Sequence, residues 1–397
     1  MNKQKICIIG GSLTGLTTAI SLSKLNFKID LITDFKKIHK SSRTVAISKN
    51  NLDFLKGLNI SKHLEKKIWP CDIMKIYTES KEKKILETFK LTNKDNKKIL
   101  YMVRNDDFTK LLISKIKKTK SISVKKYNNI TEIRTSDMLK SIKLNNKEHK
   151  YNLIIICTGS NSGIVKKLFK EKTVENSYDE TSIITILNHN SLKNNTARQL
   201  FFDDEILALL PISNTKTSIV WSVKKKFDKK NKLLIKKKIK FYAKDYLKNI
   251  KFSESIEDRE LNFLIRKNYY MERVLLFGDA LHVIHPFVGQ GYNMILRDLI
   301  CLEKLLKNKK SLGLDIGSIN TLSDFSSQTK QSNFAFSIGV DLLKNSFSVK
   351  NKYFKNIRNN FIRSLNKSKF AKNIFYNIAD KGLKFQILLD CFIFLEI

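Results

Sequence analysis

Two stretches of the sequence carry glycines at spacings that serve chemistry. Gly10, Gly11, Ser12, Leu13, Thr14 and Gly15 follow a short apolar run, Lys5–Ile9, and lead into a helically spaced segment, Thr14–Leu25. A dinucleotide-binding turn takes glycine at its first, third and sixth positions: for a tight turn, for close approach of backbone amides to a pyrophosphate, and for helix–strand packing. Here Ser12 holds the third position and the extra glycine stands at 11. A serine is small, and its hydroxyl can itself donate to a phosphate. Asp34 closes the next apolar strand, Lys28–Thr33, where a carboxylate grips the ribose hydroxyls of an adenosine. A glycine turn with a surface aspartate is the plainer reading. The motif alone does not choose between FAD and NAD.

The second stretch is GDALHVIHPFVGQGYNMILRD, residues 278–298. Gly278 and Asp279 end a buried-strand pattern, so Asp279 projects where a sugar or ribityl hydroxyl can be held. Pro286 fixes a loop dihedral. Gly289 and Gly291 flank Gln290, which lets the chain approach a flat ring without a side chain in the way. A helix follows from about Tyr292, and its N-terminal amides would face and stabilise a negatively charged ring edge.

These stretches need strands and helices to hold them. Residues 5–34 read as strand, turn, helix, strand, and 151–159 and 274–278 repeat the buried parallel-strand pattern. Between them, 181–187, 206–212 and 217–223 are short β-branched runs that read as a separate sheet. From about Gly291 the pattern is helical. The expected fold is α/β: a Rossmann-like nucleotide domain in pieces, an inserted β-sheet substrate domain and a helical C-terminus. The expected boundaries are 1–72, 100–176 and 268–345 for the first, 73–99 and 177–267 for the second, and 346–397 for the third.

The 278–298 stretch resembles the FAD-dependent aromatic hydroxylases (class A flavoprotein monooxygenases), and within them the ubiquinone-biosynthesis hydroxylases. Their GDAAH-like segment running into HPxxGQGxNxGxxD is matched by Gly278–His282, by His285-Pro286 through Asn293, and by Asp298. Arg43–Ser48, Ala208–Pro211 with Ser218–Trp221, and Leu314–Ser318 extend the resemblance along most of the chain. It implies a p-hydroxybenzoate-hydroxylase-type fold and bound FAD. The implied FAD contacts are Gly10, Gly11, Ser12, Leu13, Thr14, Gly15, Asp34, Arg43, Arg104, Asp279, Pro286, Gly289, Gln290, Gly291, Tyr292 and Asn293. His285 and Pro286 are the implied catalytic candidates, with a structural histidine as the alternative. The implied reaction is hydroxylation of a polyprenylated phenol by O2, with NAD(P)H docking transiently and a flavin C4a-hydroperoxide as oxygen donor. Two departures bear on this. Thr158 replaces the family's aspartate before Gly159, near the nicotinamide path, and Ile295 replaces a glycine, which would narrow the approach to the flavin.

Composition limits the alternatives. Of 397 residues 42% are hydrophobic, enough for a sizeable core, and 75 Lys+Arg against 37 Asp+Glu give a net charge of +38. Only ten of those cations are Arg, and Gly (13) and Pro (3) fall below the about 28 and about 20 of average usage, so much of the charge reflects compositional bias. Five scattered cysteines (Cys7, Cys71, Cys157, Cys301, Cys391) offer no CxxC and no Cys/His ligand set, so no metal site is expected. No apolar run suits a transmembrane helix or a signal peptide, and a cytoplasmic protein, peripheral on the inner membrane face, is expected. The apolar positions of 346–372 recur at helical spacing among lysines and arginines, which suits either docking on the FAD domain or an anionic membrane surface. A biosynthetic complex is a further possible partner. Two other functions stay open: an FAD oxidoreductase or slack scaffold without oxygen insertion, and a basic lipid- or nucleic-acid-binding protein. Dispersed lysines and the lack of a recognition motif argue against specific nucleic-acid binding.

Overall fold

A computed structural model describes residues 3–38, 40–80, 84–92, 98–126, 130–136, 138–169, 173–225, 227–228, 231–286, 289–349 and 351–382. Phe287, Val288 and the apolar tail 383–397 lie outside the described residues. The chain runs β1 (Lys5–Ile9), α1 (Leu13–Ser23), β2 (Lys28–Ile32), β3 (Thr44–Ser48), α2 (Lys49–Leu55), α3 (Ser61–Glu65), β4 (Ile68–Cys71), β5 (Ile73–Glu79), β6 (Ile85–Thr92), β7 (Leu100–Arg104) and α4 (Asn105–Lys117). It continues through β8 (Ile122–Lys125), β9 (Ile130–Ser136), β10 (Leu139–Leu144), β11 (Lys147–Tyr151), β12 (Leu153–Ile156), α5 (Gly163–Leu168), β13 (Thr173–Asn188), β14 (Thr196–Phe201), β15 (Glu205–Ser213), β16 (Lys216–Lys224), α6 (Lys232–Ala243), β17 (Lys251–Phe252) and β18 (Glu257–Arg266). The last third holds β19 (Tyr270–Met271), β20 (Val274–Leu276), β21 (His282–Val283), α7 (Gly291–Ser311), α8 (Ile319–Ser348), α9 (Lys352–Lys367) and α10 (Lys369–Lys381).

Two sheets dominate. The first has the order β19-β20-β12-β1-β2-β8 and is parallel except at β19. Its central strands read as unbroken apolar runs (Ile6–Ile9, Leu153–Ile156, Val274–Leu276) because both of their faces are covered. The second has the order β21-β18-β13-β16-β15-β14-β5-β6, with β17 added on β13. It draws on residues 73–92 and 173–266, and it recruits His282–Val283 from the stretch expected to stay in the nucleotide domain.

The second sheet has two unlike faces. Opposed pairs such as Leu207 with Trp221 point one way, and Ala208 with Val220 the other. The first face is sealed by α6, with Trp221, Leu207, Ile235 and Ile239 in one apolar cluster. Trp221 is thus core. Phe202 sits near α6, its ring 4.5 Å from that of Tyr242, whereas Phe201 stacks on Phe347 of α8 at 4.0 Å. The second face carries Met74, Ala197, Gln199 and Leu210, which line a cleft with Ala46 and Gly289.

Candidate active site

The two glycine stretches meet at the carboxyl ends of adjacent parallel strands, where ligands of open α/β sheets bind. In the order β20-β12-β1, the strand ends deliver Gly278-Asp279, Thr158-Gly159 and Gly10-Gly11 to one edge. Gly278 has φ +66°, and a Cβ there would stand 2.6 Å from Thr14 Cγ2. The start of α7 is fastened to α1 by the pair Tyr292 Oη and Thr17 Oγ1, 2.8 Å apart.

In the first turn, Gly10 has φ +122°, and a Cβ would lie 2.7 Å from the Cys157 carbonyl oxygen. At Gly15 it would lie 2.0 Å from the Gly10 oxygen. The displaced glycine has its own cause: a Cβ at Gly11 would lie 2.0 Å from Thr33 Oγ1, at the end of β2. Ser12 is the N-cap of α1, yet its hydroxyl donates to the Cys157 oxygen (3.4 Å) and does not cap the helix. Leu13 packs on the core and Thr14 is buried against Gly278. Asp34 follows β2, and one of its oxygens accepts the Lys36 amide at 3.0 Å.

Arg43 and Asp279 attract one another across the edge, and both reach solvent. Burial in the surrounding protein lowers the Arg43 pKa, and the Asp279 carboxylate opposes that shift. Arg104 is placed otherwise than as a free cofactor contact: its Nη2 donates to Glu254 Oε1, tying β7 to the segment before β18.

The turn before α7 divides its labour. Gln290 is 3% exposed, and neither end of its amide has a partner. A Cβ added at Gly291 would meet no atom within 4 Å, so its Cα borders open space. The side chains of Tyr292 and Asn293 depart from the expectation of cofactor contacts. Tyr292 turns inward, edge-on to Phe108 at 6.0 Å. Asn293 is fully buried: its Nδ2 donates to the Ala46 oxygen (3.0 Å), and its Oδ1 accepts Ser48 N (2.9 Å) and Asn51 Nδ2 (3.0 Å). Ile295 is buried as well. It lies on the inward side of α7, 4% exposed in the apolar core of the nucleotide domain.

Two histidines are buried in different settings. His282 Nε2 meets Asp298 Oδ2 at 2.8 Å, and Asn333 Nδ2 donates to both Asp298 oxygens, which clamps β21 to α7 and α8. His285, 1% exposed, places Nε2 3.2 Å from Glu180 Oε2, while its Nδ1 has no partner. Glu180 also pairs with the buried Lys344 (2.9 Å) and with Lys224 (3.2 Å). Burial would raise the Glu180 carboxyl, but the hydrogen bonds from His285 and Lys344 outweigh it and hold the pKa at about 2. Burial lowers the His285 pKa, against the pull of Glu180. A neutral His285 with its Nε2 proton toward Glu180 fits both, with Lys344 supplying the positive charge.

A narrow cleft opens between the second sheet and this turn, lined by Ala46, Met74, Leu100, Met102, Ala197, Gln199, Leu210 and Gly289. Its walls are apolar apart from Gln199, whose buried Oε1 has no partner. On the same sheet face, Ser182 and Ser218 carry further unpartnered buried hydroxyls.

Residues 3–309 match the family model described as FAD binding domain. Over 472 positions the chain is 25% identical to the ubiquinone biosynthesis monooxygenase COQ6, mitochondrial, of Dictyostelium discoideum, covering 97% of this chain and 93% of that one. It is 21% identical to the ubiquinone hydroxylase UbiM of Neisseria meningitidis, covering 81% and 73%. The fold is similar to Klebsiella pneumoniae HpxO complexed with FAD (TM-score 0.75, 12% identity, 95% and 99% covered). It is also similar to p-nitrophenol 4-monooxygenase PnpA of Pseudomonas putida (0.74, 12%, 96% and 99%). The chain belongs to the FAD-binding class A aromatic monooxygenases. This flavoprotein is related to the ubiquinone-biosynthesis hydroxylases.

The residues present fit a flavin. The orphaned Gln290 amide can donate to and accept from a ring edge, open space borders Gly291, and the first turn of α1 carries no side-chain cap. Sequence reasoning missed Arg266, at the end of β18. Its Nε donates to the Ala280 oxygen (2.8 Å) and its Nη2 to the Ser160 oxygen (3.3 Å), bracing two flavoprotein loops at once. It also missed Gln199, which strand alternation beside Ala197 could have put on the cleft face.

Proposed function

We propose that this flavoprotein hydroxylates the ring of a polyprenylated phenol, consuming one NAD(P)H and one O2. One oxygen atom replaces a ring hydrogen as hydroxyl, the other leaves as water, and NAD(P)H supplies the two electrons. The observation that carries the reading is the cleft beside Gly289: apolar walls with one orphaned amide oxygen suit a phenol hydroxyl attached to a long hydrocarbon. The names of the relatives support the same substrate class.

Bound FAD supplies the reduction of O2 and the transfer of oxygen. The chain does the rest. Gly289, Gln290 and Gly291 seat the ring, and Asp279, Asp34 and the amides after Gly10 hold the sugar and phosphate parts, with Arg43 adding positive charge. Gln199 Oε1 accepts the phenol proton as a hydrogen bond. Met74, Leu100, Met102 and Leu210 exclude water from the reacting carbon. His285, whose Nε2 is held toward Glu180, keeps an unpartnered Nδ1 that can accept a proton. The reading puts the protein in the cytoplasm, at the inner membrane face.

The purified protein is expected to be yellow and to oxidise NAD(P)H in proportion to a hydroxylated prenylphenol. NAD(P)H oxidation that yields only hydrogen peroxide overturns the hydroxylase. One observation favours a second reading, an FAD oxidoreductase without oxygen insertion: Thr158 stands in place of the family's aspartate, and its buried hydroxyl has no partner. A Thr158→Asp variant that gains large activity supports that alternative.

A further inference from the structure

We propose that α9 is an interfacial helix that rests on an anionic lipid bilayer and forms the wall between that bilayer and the substrate cleft. Of the two placements open to its apolar stripe, docking on the FAD domain is not the one the helix adopts. Tyr353, Ile357 and Phe361, one turn apart, are 82%, 68% and 62% exposed, with Phe354 beside them at 41%. The opposite side is what docks, and on the second sheet: Ile362 is buried, and Asn366 Oδ1 accepts the Lys90 amide of β6 at 2.9 Å. Ile362 belongs to the same apolar cluster as Met74, Leu100, Met102 and Ala197 of the cleft. One helix thus has its inner side against the cluster that lines the cleft and presents bulky apolar groups outward.

Charge selects the occupant. No carboxylate lies between Asp341 and Asp380, whereas Lys352, Arg363, Lys367 and Lys369 are exposed along α9 and its junction with α10. An apolar arc flanked by cations is what an anionic membrane surface takes: the rings enter the acyl boundary and the cations meet headgroups. Among the described residues no helix is long and apolar enough to cross a membrane, so the contact is interfacial. The purpose of the contact, though not the contact itself, rests on the proposed lipid-borne substrate.

The test floats the FAD-loaded full chain with vesicles of phosphatidylcholine alone and with roughly a third phosphatidylglycerol. Wild type is expected on the anionic vesicles, with a fraction that survives high salt. Ile357→Ser/Phe361→Ser, which leaves the charge unchanged, is expected to lower the partition about tenfold. Its flavin spectrum and its turnover of a short, water-soluble phenol should stay at the wild-type level. Unchanged partition in that variant, or binding abolished by salt in wild type, overturns the proposal in favour of dispersed lysine charge. A dimer in wild type that becomes a monomer in the variant overturns it in favour of a second copy. Lipid binding without hydroxylation of any prenylphenol leaves the surface standing and removes the proposed substrate.

Discussion

The two glycine turns at the active site answer to different masters. In the first, a methyl at Gly10, Gly11 or Gly15 would strike protein atoms within 2.0–2.7 Å, so the chain's own packing demands each glycine. In the second, a methyl at Gly291 would meet no protein atom, and Gln290 beside it is buried without a partner. The first turn is explained by the apoprotein. The second carries a cost at Gln290 that a bound flavin would offset. The same glycine signature therefore marks a fold requirement throughout the first turn and at the left-handed Gly289, and a ligand requirement at Gly291.

The largest effect expected from this contrast is at Gly15. Gly15→Ala should destabilise the protein by about 3 kcal/mol, because the new methyl cannot coexist with the Gly10 carbonyl. The loss should appear equally in thermal melts with and without FAD. A melt restored by FAD would mean that the first turn, too, is shaped for the ligand.

Next comes the buried network behind the second turn. Lys344→Met removes one partner of Glu180 and leaves Lys224 and His285, for an expected cost of about 2 kcal/mol. Its pH dependence has a definite sign. The Glu180 pKa is depressed in the fold, so its contribution is present above the ordinary carboxyl range and is lost as pH falls toward about 2. The His285 pKa is also lowered, so neutral His285 favours the fold above the ordinary imidazole range, and that contribution is lost on acidification. Stability should therefore decline from near-neutral pH downward, and the most acidic part of the decline should shrink in Lys344→Met. Melting curves across pH check this. An alkaline-side loss would contradict the assigned protonation states.

What the sequence disclosed follows the same division. Backbone demands were readable, because Gly10, Gly15, Gly278 and Pro286 act within a few residues of their own strand ends. Side-chain direction was not. Tyr292 and Asn293 sit in the motif, but the pitch of α7 turns them toward Phe108 and Ala46, which are distant in the sequence. The partner of Arg104 lies 150 residues away, in the segment before β18. The displaced glycine at 11 answers to Thr33, which only the folded pairing of β1 with β2 brings against it. Lys344 looked like one lysine among many, and only folding sets it beside Glu180. The outward stripe of α9 had the right periodicity, but periodicity does not say which side faces the protein.

A smaller effect of opposite sign is expected at Gln290. Gln290→Leu keeps the volume roughly constant and removes two unpartnered polar ends, so the FAD-free protein should gain about 1 kcal/mol. FAD affinity should fall in the same variant. A destabilised apoprotein would show that the amide has protein partners after all and would erase the contrast between the turns.

The smallest effect on the fold is expected at Gly291, and it separates the two turns most sharply. Gly291→Ala places a methyl in open space at the first position of α7, where alanine suits a helix at least as well as glycine. Apoprotein stability should move by no more than about 0.5 kcal/mol, in the stabilising direction. If a flat ring lies against this turn, the same methyl occupies its space, and FAD affinity should drop about tenfold or more, read by titration of flavin fluorescence. Gly15→Ala would then damage folding without regard to FAD, while Gly291→Ala would damage FAD binding without regard to folding. Unchanged FAD affinity in Gly291→Ala would move the ring's seat away from the Gln290 turn, and the proposed position of the phenol beside Gly289 would go with it.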